Sequence, residues 1–328
     1  MTRFATFHDA YVELLSQLYC RPDYNNAARG FSSKEQLGVT FLLRDPVQRT
    51  PFVASRKLNI IFNFAETLWY LSGRDDQEYL TYYAPRLSRF TGGQARLTGT
   101  AYGVKIFGKD GRIDQWQSVI TQLREDPDSK RAVIQIFDST ELSIPENPDV
   151  SCTLGIQYLL RENALHSIGF MRANDVYRGL VSDIFSFTML QELMANQLDV
   201  EVGSYTHMVG SLHLYDKDRD AAARVLTDVK THPRATFVFP SLPRGDNKNY
   251  ISEVLWYEER LRNNSLQLTG KKEIANLPEY WRQVLFLFEI YRSIAQNEAI
   301  NGLVFDQLSS MNKWFIKNCW PLQVAHSC

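Results

Sequence analysis

Apolar positions along this chain follow two periods, and the switches between them mark its elements. Residues 7–19 and 58–73 carry apolar side chains at helical spacing, and "LNIIFNFAETLWYLSG" closes on Gly73, a residue suited to ending a helix. Between them "NNAARGFSSKE", residues 25–35, is polar and predicts a loop broken at Gly30. "GVTFLLRDP" predicts a strand stopped by Pro46. A Gly/Thr-rich loop, "FTGGQARLTGTAYG", precedes a predicted helix, "IDQWQSVITQLRED", and a turn, "DPDSKR". "RAVIQIF" predicts a strand because branched and aromatic residues dominate it. "CTLGIQYLLRENALHSIGFMR" predicts a hairpin turning at "ENA", followed by a helix over about 184–197 and a strand region, "EVGSYTHMVGSLHLYDKD". Residues 221–328 read as mostly helical. Strands and helices mix without strict alternation, so the expected class is α+β rather than a doubly wound sheet. No repeat or low-complexity linker divides residues 1–328, which are expected to form a single domain.

Composition narrows the function. The chain has 328 residues, 44% of them hydrophobic, enough for a large core. A formal net charge of -1 excludes a nucleic-acid binder that works by bulk electrostatics, though an arginine cluster can still serve a small anion. Four cysteines, Cys20, Cys152, Cys319 and Cys328, are scattered with no CxxC pair, so neither a metal site nor a disulfide framework is expected. No stretch reads as a signal peptide or a membrane span, and a reducing cytoplasm is the expected compartment. Aromatics at 12% leave room for a stacking site for a planar ligand.

The chemistry gathers in "MRANDVYRGLVSD", residues 171–183. Arg172, Asp175, Arg178 and Asp183 crowd the junction between a predicted strand and a predicted helix. Charges at such a junction are either paired with one another or directed at a ligand. Asp183 also stands where a helix N-cap would. Glu66 sits within an apolar helix, where a carboxylate needs partners or a raised pKa. Cys152 by itself would read as a small buried core residue.

Five segments in order, "AETLWYLSGRDD", "DPDSKRAVIQIF", "SCTLGIQYLL", "MRANDVYRGLVSD" and "VGSLHLYDKD", resemble the thymidylate synthases and the related cytidylate hydroxymethylases. The resemblance covers roughly residues 29–220, and no family role is carried beyond it. It implies a thymidylate synthase-like fold, a large mixed sheet flanked by helices, dimerising through the sheet face with active sites shared between subunits. It makes Cys152 the nucleophile that adds to C6 of a pyrimidine, its thiol pKa lowered by Arg172. Glu66 is implied to run proton transfer, and Tyr102 to lie near the nucleophile. Arg172, Arg29, Lys130 and Arg131 are implied to hold the 5'-phosphate, Lys130 and Arg131 from across a homodimer interface. His213 and Tyr215, two apart on a strand and so on one face, match the residues that hold the sugar 3'-hydroxyl. Asp175 and Gly179 match positions that meet the folate, 5,10-methylenetetrahydrofolate.

Departures from the family spelling carry the specificity. The thymidylate synthases place an asparagine where this chain has Asp183. A carboxylate cannot donate to O4 of uracil but can accept from the 4-amino group of cytosine. Lys130 stands for the usual arginine and Ala173 for the usual serine, which frees room for a ribose 2'-hydroxyl. The expected enzyme is therefore a pyrimidine nucleotide hydroxymethyltransferase acting on CMP, similar to those of nucleoside-antibiotic pathways. A dCMP hydroxymethylase is the alternative. A methylase ending in hydride transfer, or a non-catalytic nucleotide- or RNA-binding relative, are further ones. Neither a membrane nor a nucleic acid is an expected partner of the enzyme.

Overall fold

The computed structural model describes residues 1–89 and 94–325, so the start of the Gly/Thr-rich loop (90–93) and the terminal 326–328, with Cys328, lie outside the described residues. The strands are β1 (Thr2–Phe4), β2 (Tyr24–Asn26), β3 (Ser33–Leu43), β4 (Val133–Gln135), β5 (Thr153–Arg161), β6 (Ala164–Asp175) and β7 (Glu201–Tyr215). The helices are α1 (Phe7–Cys20), α2 (Ile60–Leu71), α3 (Gln77–Tyr83), α4 (Tyr102–Ile106), α5 (Gln115–Glu125), α6 (Gly179–Leu198), α7 (Arg219–Thr231), α8 (Lys248–Arg262), α9 (Glu279–Ala295), α10 (Gly302–Gln307), α11 (Ser310–Cys319) and α12 (Pro321–Ala325). The strands form one mixed sheet in the order β1-β3-β7-β6-β5-β4, with β2 beside β3. The α+β expectation holds, and residues beyond 221 are mostly helical as the pattern predicted, with a non-helical stretch between Thr231 and Lys248.

Local chemistry accounts for most of these elements. Helix α1 opens with a capping box between Thr6 and Asp9. The β5–β6 hairpin turns on Glu162 and Asn163, both at positive φ, which suits the right-handed twist of the flanking strands. Strands β6 and β7 run parallel, so helix α6 is the crossover between them. Helix α6 is apolar on nearly all sides because α2 and the buried helix α9 close over it; Phe64 meets Phe185 edge-on at 5.0 Å and Tyr280 at 6.1 Å.

Three expectations are corrected. Residues 25–35 are not one loop: β2 pairs with the first residues of β3, and Arg29 (φ 53) and Gly30 (φ 80) turn the chain between them. Polar edge strands satisfy their backbone through the ladder and need no apolar alternation, so their composition reads as loop. "RAVIQIF" keeps only three residues in the ladder. Helix α6 starts at Gly179 rather than at about 184, with Arg178 at its N-cap, so Asp183 lies inside the helix.

One irregularity shapes the site. The pairing of β5 with β6 shifts between Thr153 and Gly155. In β6 and β7 the buried side changes parity, from Met171 to Asn174 and from Val209 to Leu212. Such breaks re-aim side chains at strand ends. They fall where Cys152, Arg172 and His213 approach one another. The opposite sheet face stays open in this chain, with Leu37 and Met208 exposed and Val39, Ile168, Phe170 and Thr206 half-buried.

Candidate active site

Cys152 lies directly ahead of β5, half-buried. Arg172, at the far end of β6, places Nη2 at 3.6 Å from its Sγ. The guanidinium is held by backbone carbonyls alone: Nε donates to Ser151 O at 2.8 Å and Nη2 to Val150 O at 2.9 Å. No carboxylate neutralises it among the described residues, so its charge is available to an anion. Arg29 approaches from the β2–β3 turn, donating to Pro148 O at 3.1 Å. Burial pushes the Cys152 thiol up, and Arg172 and Arg29 only oppose that rise. The expected lowering by Arg172 is present as a contribution, but burial outweighs it and the net direction is the reverse.

The segment before the nucleophile is fixed by two buried carboxylates. Asp149 accepts from the amides of Thr98, Gly99 and Thr100 at 2.8–2.9 Å and clamps the loop that leads to Tyr102. Glu141 pairs with Lys105 and accepts from Ser151 N at 2.7 Å, while Lys105 Nζ donates to Ser151 Oγ at 2.7 Å. Tyr102, buried at the start of α4, stacks on Tyr70 at 5.1 Å.

Glu66 and Asp183 face each other across α2 and α6. Glu66 is 9% exposed, and its Oε2 has no partner among the described residues. Burial, then the nearby Asp183, holds its carboxyl well above the usual range. Asp183 accepts from Asn174 Nδ2 at 2.7 Å, and burial lifts its pKa to about 7 against that bond. Both carboxyls are therefore shifted upward from the usual carboxylate range, which suits proton transfer to and from a ring.

His213 and Tyr215 lie at the end of β7 with rings 4.9 Å apart, His213 paired across the ladder with Asp175. Asp175 accepts from the amides of Tyr177 and Arg178 at 2.8 and 3.2 Å, and burial raises its pKa while His213 opposes. Gly179 opens α6 against the acid pair: a Cβ there would stand 3.2 Å from Asn174 Nδ2 and 3.5 Å from Asp183 Oδ2. Ala173 is half-buried beside Arg172. Arg178 is taken out of the ligand set by its ion pair with Asp218. Lys130 and Arg131 are exposed ahead of β4, and neither side chain makes an ion pair among the described residues.

Sequence reasoning missed Asn174, although it stands in the stretch that carries the site. It also missed Lys105 with Glu141, for which the only signal was a lysine in an otherwise apolar turn. Among the described residues no cluster of His, Cys, Asp or Glu could hold a metal, and no helix is long and apolar enough to cross a membrane.

Residues 9–249 match the family model for thymidylate synthase, a wider span than the motifs alone. The chain is 29% identical over 231 residues to a deoxyuridylate hydroxymethyltransferase of Bacillus phage SP01, covering 67% of this chain and 59% of that protein. It is 31% identical over 229 residues to a protein of the same name from Delftia phage PhiW-14, covering 66% of this chain and 62% of that protein. The chain thus spans about three fifths of the length of these relatives. With the matched span running from α1 to the start of α8 and enclosing Cys152, Glu66, Arg172 and Asp183, the chain belongs to the thymidylate synthase family.

Proposed function

We propose that this protein is a pyrimidine nucleotide hydroxymethyltransferase, and more narrowly a CMP 5-hydroxymethylase. The observation that carries the base is Asp183: a carboxyl in the Cys152 pocket, close to half-protonated at neutral pH. A neutral cytosine offers an amino donor and the N3 acceptor. With its proton on the oxygen that faces N3, the carboxyl offers the matching acceptor and donor, and the same orientation would set its O–H against N3–H of uracil. Hydroxymethylation rather than methylation is supported by the names of both phage relatives.

Arg172 and Arg29 bind the phosphate, with Lys130 and Arg131 reaching it from a second copy of the chain. The open sheet face is the surface through which that copy would pack. His213 and Tyr215 hold the sugar. As Cys152 adds to C6, its thiol proton passes to solvent and Asp183 passes a proton to N3, so the ring takes up the electron pair without full negative charge; Asp183 takes that proton back when Cys152 departs. 5,10-Methylenetetrahydrofolate supplies the one-carbon unit when bound. Asp175 fits its ring, since Asp175 has a second oxygen with no partner among the described residues. Gly179 fits it as well, since it leaves the backbone bare beside Asp175, where a Cβ would stand 3.9 Å from the Asp175 Cβ. Glu66, ionised at that stage, takes the C5 proton and releases it to the departing one-carbon carrier, which leaves it free to receive a proton from the water that adds to the new carbon. Loss of Cys152 then restores the aromatic ring.

The ribose assignment rests on Lys130 and Ala173, and such a product would suit a nucleoside-antibiotic pathway. The deoxyuridylate relatives favour a second reading, in which the sugar is deoxyribose; the substrate is then dCMP if Asp183 selects cytosine and dUMP if it does not. Mass spectrometry of reactions with CMP, dCMP, UMP and dUMP separates these. CMP gaining one formaldehyde unit is expected. Preference for dCMP would overturn the ribose assignment alone, and a methylated product would overturn the addition of water.

A further inference from the structure

A chain of buried hydrogen bonds ends on the base-reading carboxyl. The Tyr205 hydroxyl lies 2.8 Å from His207 Nδ1, His207 Nε2 lies 3.1 Å from Asn174 Oδ1, and Asn174 Nδ2 donates to Asp183 Oδ2 at 2.7 Å. Tyr205 and His207 are both 0% exposed, so neither reaches a ligand. Phe41 packs against the imidazole at 5.3 Å. Gly169 makes room for the tyrosine, since a Cβ there would stand 2.4 Å from its hydroxyl.

The direction of each bond follows. Burial keeps His207 neutral, so its ring has one N–H and one bare nitrogen. Asn174 turns its amino group to Asp183, which leaves its carbonyl oxygen facing His207 as an acceptor. Nε2 therefore carries the proton, and Nδ1 accepts from the Tyr205 hydroxyl. Without that hydroxyl the ring can exchange tautomers and the amide can turn over. A carbonyl would then face Asp183 and draw the carboxyl proton to itself.

We propose that Tyr205 and His207 are positioning residues for base selection, holding Asn174 in the one amide orientation that keeps Asp183 Oδ1 and its proton directed at the pyrimidine. The inference rests on Asp183 as the base reader. The groups that face Asp183 are Glu66 and Tyr70 from α2, Tyr102 from α4, Cys152 ahead of β5, Asp175 and Asn174 from β6 and Tyr205 from β7. None of these is a cation, and Asn174 is the side chain that donates to Asp183 among the described residues.

The test compares kcat/KM for CMP and UMP across neutral to alkaline pH in the full chain, its Tyr205→Phe variant and its His207→Phe variant. Tyr205→Phe keeps the ring and removes only the donor. The expected result is a CMP:UMP ratio reduced at least about tenfold, a displaced alkaline limb, and an unchanged rate of Cys152 alkylation. If His207→Phe fails to fold, Tyr205→Phe decides alone. A ratio and pH profile within about twofold of the parent would reduce the chain to packing and overturn the proposal. A parent protein that prefers UMP would overturn the cytosine reading itself, and this inference with it.

Discussion

Buried carboxylates occur in two settings in this molecule. Behind the sheet each is matched to a cation. Glu192 pairs with Arg49 with both side chains essentially inaccessible, Glu289 pairs with Arg292 at 2.8 Å, and Glu258 pairs with Arg262 at 2.9 Å. In the pocket the acids are left without one: Glu66 has an unpartnered oxygen, and Asp183 has a single amide donor. For Glu258, burial still pushes the carboxyl up, but Arg262 opposes it. In the pocket no cation opposes the burial of Glu66 or Asp183 among the described residues.

Substitutions can break this contrast, beginning with the nucleophile. Cys152→Ser should lower turnover by at least about 10⁴-fold, read by steady-state rates, while nucleotide binding measured by calorimetry persists. Glu66→Gln should lower kcat by about 10²- to 10⁴-fold and raise thermal stability, because it removes an uncompensated buried acid. Glu192→Ala should do the opposite. Leaving Arg49 buried and unpaired should cost about 3–5 kcal/mol in chemical denaturation. A stable Glu192→Ala variant would contradict the pairing argument.

Asp183 supplies a graded test. Its folded pKa, about 7, lies above the ordinary 3.8, so the fold favours its protonated form. Its stabilising contribution is complete below the ordinary value and is lost as pH rises through about 7. Relative to the parent, Asp183→Asn should therefore gain thermal stability steadily from acid to alkaline pH. Activity on cytosine nucleotides in the parent should fall as pH rises above that pKa, and Asp183→Asn should shift preference toward uracil. The smallest effect belongs to the surface: breaking the exposed Arg244–Glu201 pair should change stability by less than about 1 kcal/mol.

Much of the site was legible in the sequence because its chemistry depends on residue type. Helix α2, the β5–β6 hairpin and β7 each bury one face, so their periods survive in the pattern. The short edge strands β1 and β2 have no such face and left no signal. Cys152, Glu66, Arg172 and Asp183 come together in one pocket, whereas Lys130 and Arg131 remain exposed at a surface turn. Asn174 was unreadable because its role requires the parity change in β6, and β-strand alternation taken at face value points it elsewhere.

The sequence by itself determined the types of the elements that bury one face, the thiol at position 152 and the carboxyl at position 183. Those follow from side-chain chemistry and periodicity, both of which are local. Only the tertiary structure decided which acids keep their protons, which arginine stays unpaired and which amide holds Asp183. Those depend on desolvation and on partners from distant segments. The Cys152 thiol shows the difference: the neighbouring arginine was readable in advance, but the burial that outweighs it exists only once the sheet and its helices have closed around it.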